Sequence, residues 1–279
     1  MINFSKMHSL GNDFMVVDAL SEAVTLKPEQ IAKWGDRQRG IGFDQLLMIA
    51  PPSVPDCDFD YLIFNADGGE AEQCGNGTRC VTDFVHRRGL TQQTQLSWNS
   101  KGGIVRTAIH GDGMIETWLP EPQFQHARVP FQHSEADKPP GQFVALETEH
   151  GEVQIVPVSL GNPHGVVFVD DVIELDVAGI GRALSRHEAF PERANIGFCQ
   201  IVNRGFIRLR VFERGASETL ACGSGASAAV AVGCQTGQLN SKVKVSLPGG
   251  KLRVEWPNSK GLIKLVGDST FVYNGQLDI

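Results

Sequence analysis

The chain has 279 residues, 41% of them hydrophobic and 20% charged, with 25 Lys and Arg against 32 Asp and Glu for a formal net charge of −7. That length supports one large domain or two small ones with real cores and excludes a disulfide-stapled miniprotein. The acidic balance argues against nucleic acid as a partner, because phosphates call for a basic surface. No run reaches the roughly 20 apolar residues of a membrane span, and Met1-Ile2-Asn3-Phe4-Ser5 lacks the segments of an export signal, so the expectation is a cytoplasmic protein with no membrane partner.

In chain order, the first legible helix follows Cys74. Apolar Cys80, Val81, Phe84 and Val85 recur at helical spacing, and Arg87, Arg88 and Gly89 supply a basic last turn and a stop. Strands fit Gly103 to Leu119, split by the turn His110-Gly111-Asp112-Gly113. A polar, Pro-containing stretch from Pro120 to Gly141 is the best candidate boundary. Gly165 to Val169 and the alternating Phe206 to Phe212 read as strands. Ala226 to Cys234 has almost no polar face, which predicts a helix buried on all sides and ending near Gly237. Val243 to Leu247 and Leu252 to Trp256 flank Pro248-Gly249-Gly250 as a hairpin. One apolar helix among long strands in each half predicts a sheet wrapped about a helix.

The six cysteines are Cys57, Cys74, Cys80, Cys199, Cys222 and Cys234, and without an export signal they are expected as reduced thiols. Cys74 and Cys80 have five residues between them, wider than the paired ligands of structural zinc, so no metal is expected. Cys57, Cys80, Cys199 and Cys234 read as small buried hydrophobes.

Cys74 and Cys222 stand apart because each closes a repeated segment. Residues 63–77 align with 211–225 without a gap: Ile63-Phe64 with Val211-Phe212, Glu70 with Glu218, and Cys74-Gly75-Asn76-Gly77 with Cys222-Gly223-Ser224-Gly225. Such self-similarity predicts two related halves. Each cysteine then sits at a helix N-terminus, where unpaired N–H groups and the dipole favour negative charge, lowering the thiol pKa and offering a site for a carboxylate. Halves related by a pseudo-twofold axis would bring the two thiols to a shared cleft from opposite sides. One thiol then removes the proton beside a carboxylate and the other returns one on the opposite face.

Further blocks extend the pattern: Leu10-Gly11-Asn12-Asp13-Phe14, Arg39-Gly40-Ile41-Gly42-Phe43-Asp44-Gln45, Asn65-Ala66-Asp67-Gly68, Gly161-Asn162-Pro163-His164, Pro191-Glu192-Arg193-Ala194-Asn195 and Glu213-Arg214-Gly215. With the two cysteine segments, they make the chain resemble the diaminopimelate epimerase family over essentially its whole length. The resemblance implies an α+β (mixed α/β) fold of two pseudo-symmetric halves, each a mixed sheet rolled around a central helix. The halves would be 1–120, completed by a C-terminal strand near 266–279, and 121–265. It also implies interconversion of LL- and meso-diaminopimelate with no cofactor.

Carried onto this sequence, the resemblance makes Cys74 and Cys222 the catalytic acid/base pair. Gly75, Asn76, Gly223 and Ser224 would bind the reacting carboxylate through backbone N–H groups. Asn12, Gln45, Asn65, Asn162, Asn195, Glu213 and Arg214 would contact the rest of the substrate, with Arg214 on the distal carboxylate and Glu213 on an ammonium. His164 and Glu213 would tune the thiols, and Tyr273 would lie at a homodimer interface. The chain departs from the family pattern at Gly165 and Ser227, where many relatives carry bulkier residues and cysteine.

Read without the resemblance, Asn12, Asn162 and Asn195 also suit turns, and His164 and Arg214 suit structural roles. A proline-type racemase, a phenazine-type isomerase, a binding module of the same fold and a thiol redox switch each share part of the pattern. Two facing thiols are further expected to be open to an inactivating Cys74–Cys222 disulfide.

Overall fold

The computed structural model describes residues 1–20, 24–72, 74–132 and 139–278, so part of the candidate boundary stretch and Gln73 lie outside the described residues. In chain order the first elements are β1 Ile2–Ser9, β2 Asn12–Asp18, α1 Pro28–Gly35, β3 Gln45–Ala50, β4 Phe59–Asn65, β5 Glu70–Ala71, α2 Gly75–Arg87, β6 Gln95–Ser100, β7 Gly103–Ile109 and β8 Ile115–Leu119. They continue as β9 Val144–Thr148, β10 Gly151–Ser159, β11 Pro163–Phe168, α3 Val177–Ser185, β12 Asn195–Asn203, β13 Phe206–Glu213, β14 Ser217–Thr219, α4 Gly223–Gln235, β15 Lys242–Leu247, β16 Gly250–Glu255, β17 Ile263–Gly267 and β18 Thr270–Leu277. The chain divides into two compact units, Met1–Trp118 with Val266–Ile279 and Leu119–Leu265. Among the described residues no helix is long and apolar enough to cross a membrane.

In the first unit, successive strand residues point to opposite faces, and both faces are covered. Phe14 and Val16 of β2 and Leu47 and Ile49 of β3 pack with Tyr61, Trp98 and the α2 residues Cys80, Val81, Phe84 and Val85. Their neighbours Met15, Val17, Leu46 and Met48 pack instead with Ile31 and Trp34 of α1. Strands buried on both faces read as continuous apolar runs, which is why β2 and β3 carry no alternation in the sequence.

The second unit repeats the plan. Helix α4 is buried from Gly225 to Gly233, as its missing polar face predicts. Its small side chains let the surroundings close in: a Cβ on Gly233 would lie 2.3 Å from Leu239 Cδ1. On the other face Ile155, Val167, Ile196, Phe198 and Phe212 pack with Val177 and Leu184 of α3. Val129 and Phe131, from the stretch read as a boundary, belong to this same core.

The repeat holds at the level of strand register. Phe64 pairs with Glu70 and Ile63 with Ala71, as Phe212 pairs with Glu218 and Val211 with Thr219. Phe14 lies opposite Gln45 in parallel strands, as His164 lies opposite Asn195, and Leu46 faces Phe64 as Ile196 faces Phe212. Helices α2 and α4 are both 13 residues long and begin one residue after their cysteines. Helix α4 ends at Gln235, two residues short of the expected stop, and Gly237 follows it with φ +73°. That left-handed residue is the helix stop that Gly permits at little cost.

Candidate active site

Each unit presents matching candidate residues along its ladder: Asn12, the first residue of the second strand, with Asn162 just before its counterpart, Gln45 with Asn195 at the start of the third, Asn65 with Glu213 at the end of the fourth, and Cys74 with Cys222 at the helix N-terminus. Both cysteines are N-caps in extended conformation. Cys74 Sγ accepts from Gly77 N at 3.3 Å and Cys222 Sγ from Gly225 N at 3.4 Å. The first turn of a helix carries N–H groups with no carbonyl four residues earlier, so these thiols share their surroundings with backbone donors.

In the first unit, Asn12, Cys74 and Asn76 form one group. Asn76 Nδ2 donates to Asn12 Oδ1 at 3.2 Å, and the Cys74 thiol lies 3.9 Å from the same oxygen. Asn12 Nδ2 donates to Asp44 Oδ2 at 2.8 Å. Asp44 is tied to Asp13 by reciprocal backbone-to-carboxylate bonds, and Arg37 bridges the two acids at 2.7 and 2.6 Å. Lys6 Nζ adds a 2.5 Å contact to Asp13. Burial would push the Asp13 carboxyl up, but Arg37 and Lys6 outweigh it and hold its pKa at about 2. Gln45 and Asn65 make a separate pair, Nε2 to Oδ1 at 3.0 Å across β3 and β4. The backbone carbonyl of Cys74 accepts from Tyr61 Oη at 3.2 Å and Thr78 Oγ1 at 2.9 Å.

In the second unit, Cys222, Glu213 and Ser224 converge: the thiol is 3.3 Å from Glu213 Oε2 and 3.6 Å from Ser224 Oγ. Thr219 Oγ1 donates to the other Glu213 oxygen at 2.5 Å. Asn195 Oδ1 accepts from Arg214 N at 3.0 Å, and Asn162 Oδ1 is 3.0 Å from His164 Nε2. The Arg214 side chain is exposed, reaches the Glu192 carbonyl at 3.4 Å and, with Arg182, Arg186 and Arg193, lines a cavity of about 370 Å³.

Two sequence expectations need correction here. A helix N-terminus was expected to lower both thiol pKa values, but at Cys222 burial raises the pKa well above its ordinary value and the Glu213 carboxylate adds to the rise. The hydrogen bonds from Ser224 and Gly225 N do not balance these effects. Cys234 was expected to be buried and is instead half-buried, with its thiol donating to the Asn240 carbonyl at 3.2 Å. His164 is fully enclosed, and burial followed by the nearby Arg214 charge lowers its pKa to about 3. Any influence it has on a thiol is therefore exerted as a neutral imidazole. None of the six cysteines is disulfide-bonded.

The two glutamates of the repeat do not serve the thiols: Glu70 pairs with Lys101 at 2.8 Å and Glu218 with Arg210 at 2.6 Å. Gly165 is accounted for by packing, since a Cβ there would lie 2.3 Å from Ile155 Cδ1. Asp44, Tyr61, Thr219 and Arg79 border the site and escaped the sequence reading, although Asp44 directly precedes Gln45 and Arg79 lies three residues after Asn76 on one helix face.

The fold is that of a class of solved racemases, epimerases and isomerases. A structure of a probable proline racemase from Agrobacterium radiobacter with bound carbonate matches with TM-score 0.71 at 17% identity, covering 100% of this chain and 93% of its own. A hydroxyproline epimerase from Agrobacterium vitis with bound trans-4-hydroxy-L-proline matches at 0.70 and 14%, covering 98% and 91%. A phenazine biosynthesis protein of the PhzF family from Bacillus anthracis matches at 0.67 and 18%, covering 100% and 99%.

Within that class, the family model described as Diaminopimelate epimerase matches residues 4–121 and 156–272, and the chain belongs to this family. Diaminopimelate epimerases from two strains of Acinetobacter baumannii are each 46% identical to it over 279 residues, covering 100% of this chain and 98% of their own.

Proposed function

We propose that this chain interconverts LL- and meso-diaminopimelate by moving the proton at one α-carbon, with Cys74 and Cys222 as the two acid/base groups. The observation that carries the proposal is the repeated half-site: in a member of this family, each unit sets a thiol at the N-cap of its central helix. One cysteine, as thiolate, takes the α-proton. The electron pair left on carbon spreads into the α-carboxylate, and the other thiol delivers a proton to the opposite face. One turnover therefore exchanges the protonation states of the pair, which titrates as a unit.

The carbanion is the costly species, and backbone N–H groups of Gly75, Asn76, Gly223 and Ser224 are positioned to stabilise charge on the carboxylate. Asn12, Gln45, Asn65, Asn162 and Asn195 supply neutral donors and acceptors for the remaining zwitterionic groups. Arg214 suits the distal carboxylate and Glu213 an ammonium. Glu213 also holds a proton on Cys222, which fits that thiol to the acid role in one direction, and His164, neutral, is bonded to Asn162. The thiols and backbone donors complete the proton exchange themselves, so the proposal calls for no cofactor. We further propose a cytoplasmic enzyme acting as a homodimer, with the exposed Tyr273 of β18 at the interface.

The deciding experiment incubates reduced protein with LL-diaminopimelate in deuterated water. Meso product carrying deuterium at the α-carbon is expected. Cys74→Ser and Cys222→Ser should each lower turnover by about a thousandfold or more, as removal of an acid/base group and its paired function does, with the circular dichroism spectrum unchanged. Near-normal turnover in either variant, or racemisation of proline with none of diaminopimelate, would refute the proposal.

A further inference from the structure

Arg79 on α2 has none of its surface exposed, and among the described residues it makes no ion pair. Burying a cation is costly, and the nearby Asp268 charge does not offset the desolvation, so its hydrogen bonds must justify its place. Its guanidinium donates to Ser9 Oγ at 2.8 and 3.1 Å, to the carbonyls of Asp268 and Gly75 at 3.3 and 3.4 Å, and to Asn76 Oδ1 at 2.6 Å. The contact with Asn76 is the shortest.

A guanidinium only donates and a carboxylate only accepts, so the direction of both neighbouring amides is dictated from the two ends. Arg79 claims the Asn76 oxygen, leaving Nδ2 to donate to Asn12 Oδ1 at 3.2 Å. Asp44 claims the Asn12 nitrogen at 2.8 Å, which turns Asn12 Oδ1 toward both Asn76 and the Cys74 thiol, the latter at 3.9 Å. Among the described residues, the second unit has no such device. Along the repeat, Ser224 stands at the place of Asn76 and touches the Cys222 sulfur directly at 3.6 Å, and the place of Arg79 is held by the buried Ser227.

We propose that Arg79 is a positioning residue for Cys74: its guanidinium fixes the Asn76 amide with its NH₂ group toward Asn12, and Asn12 then holds its carbonyl oxygen on the thiol. This rests on the reading of Cys74 as one of the proton-exchanging groups. Sub-ångström placement of such a group matters, because misplacement by about 1 Å costs up to about a hundredfold in rate.

Two variants test it. Arg79→Lys keeps the positive charge and loses the fork that spans Ser9 and Asn76. Asn76→Asp keeps the volume and the bond from Arg79 but removes the Nδ2 donor to Asn12. Both are expected to lower kcat for epimerisation about tenfold or more with KM within about twofold, and to retain the circular dichroism spectrum. In a Cys222→Ala background, both should also change the rate of Cys74 alkylation by iodoacetamide severalfold at fixed pH, and in Arg79→Lys, which alters no charge near the thiol, that change reports the relay and not a new charge.

Parental kcat and alkylation rate in Asn76→Asp overturn the proposal, whatever Arg79→Lys does. If Arg79→Lys fails to fold, Asn76→Asp decides alone. The alkylation rate needs no turnover, so it judges the relay even if an active Cys74→Ser enzyme were to remove the underlying reading.

Discussion

Cys222 Sγ lies 3.3 Å from Glu213 Oε2, whereas at the place in the repeat that Glu213 occupies the first unit has Asn65, an uncharged amide. The carboxylate disfavours a second negative charge and adds to the burial that already raises the thiol pKa. In a Cys74→Ala background, Glu213→Gln should therefore speed alkylation of Cys222 between pH 7 and 9, by about tenfold for each unit the pKa falls. A slower reaction would show that Glu213 activates the thiol instead.

The network behind Asn12 carries an acid dependence of stability. Asp13 is held at about 2 in the folded chain by Arg37 and Lys6 against burial, below the ordinary value of about 3.9 for an unfolded Asp. Its contribution is fully present above pH about 4 and is lost as pH falls through 4 toward 2, and it amounts to about 2 kcal/mol at neutral pH. Urea unfolding at pH 7 and pH 3 should show this loss in the parent, and Asp13→Asn should be destabilised at pH 7 with a flatter pH dependence. An unchanged slope would exclude the ion pairs as its source.

His164 stays neutral far below the usual range because burial and the Arg214 charge both oppose its protonation. Its imidazole resonances should show no titration from pH 8 down to about pH 5 in a nuclear magnetic resonance experiment. An inflection near pH 6.5 would mean that the ring is solvated and able to act through charge.

Gly77 is held by a close approach. A Cβ there would lie 2.4 Å from Tyr61 Oη, the hydroxyl that donates to the Cys74 carbonyl, and 3.1 Å from Leu47 Cδ1. Gly77→Ala should cost about 2 kcal/mol in urea unfolding despite the better helix propensity of Ala, because both neighbours are buried and must shift. Tyr61→Phe in the same chain should recover part of that loss, and the double-mutant cycle measures the coupling.

The two helices and their cysteines were legible because local chemistry decides them: apolar spacing, glycine after the last turn and a repeated N-cap segment all act within a few residues. The β7–β8 and β15–β16 hairpins were legible for the same reason. Strands β2 and β3 and helices α1 and α3 were not, since strands covered on both faces lose their alternation and the two short helices depend on the sheet that they cover.

The sequence by itself determined that Cys74 and Cys222 head equivalent helices, because residues 63–77 repeat as 211–225 without a gap and an N-cap segment acts locally. Only the tertiary structure decided their protonation and orientation. A helix N-terminus lowers a thiol pKa in isolation, yet burial beside Glu213 reverses that at Cys222. A charged Arg79 reads as surface in a sequence, yet it is buried and aligns two amides toward Cys74. Both outcomes follow from long-range packing, which sets the local dielectric and brings together groups separated by as many as 189 residues in the chain.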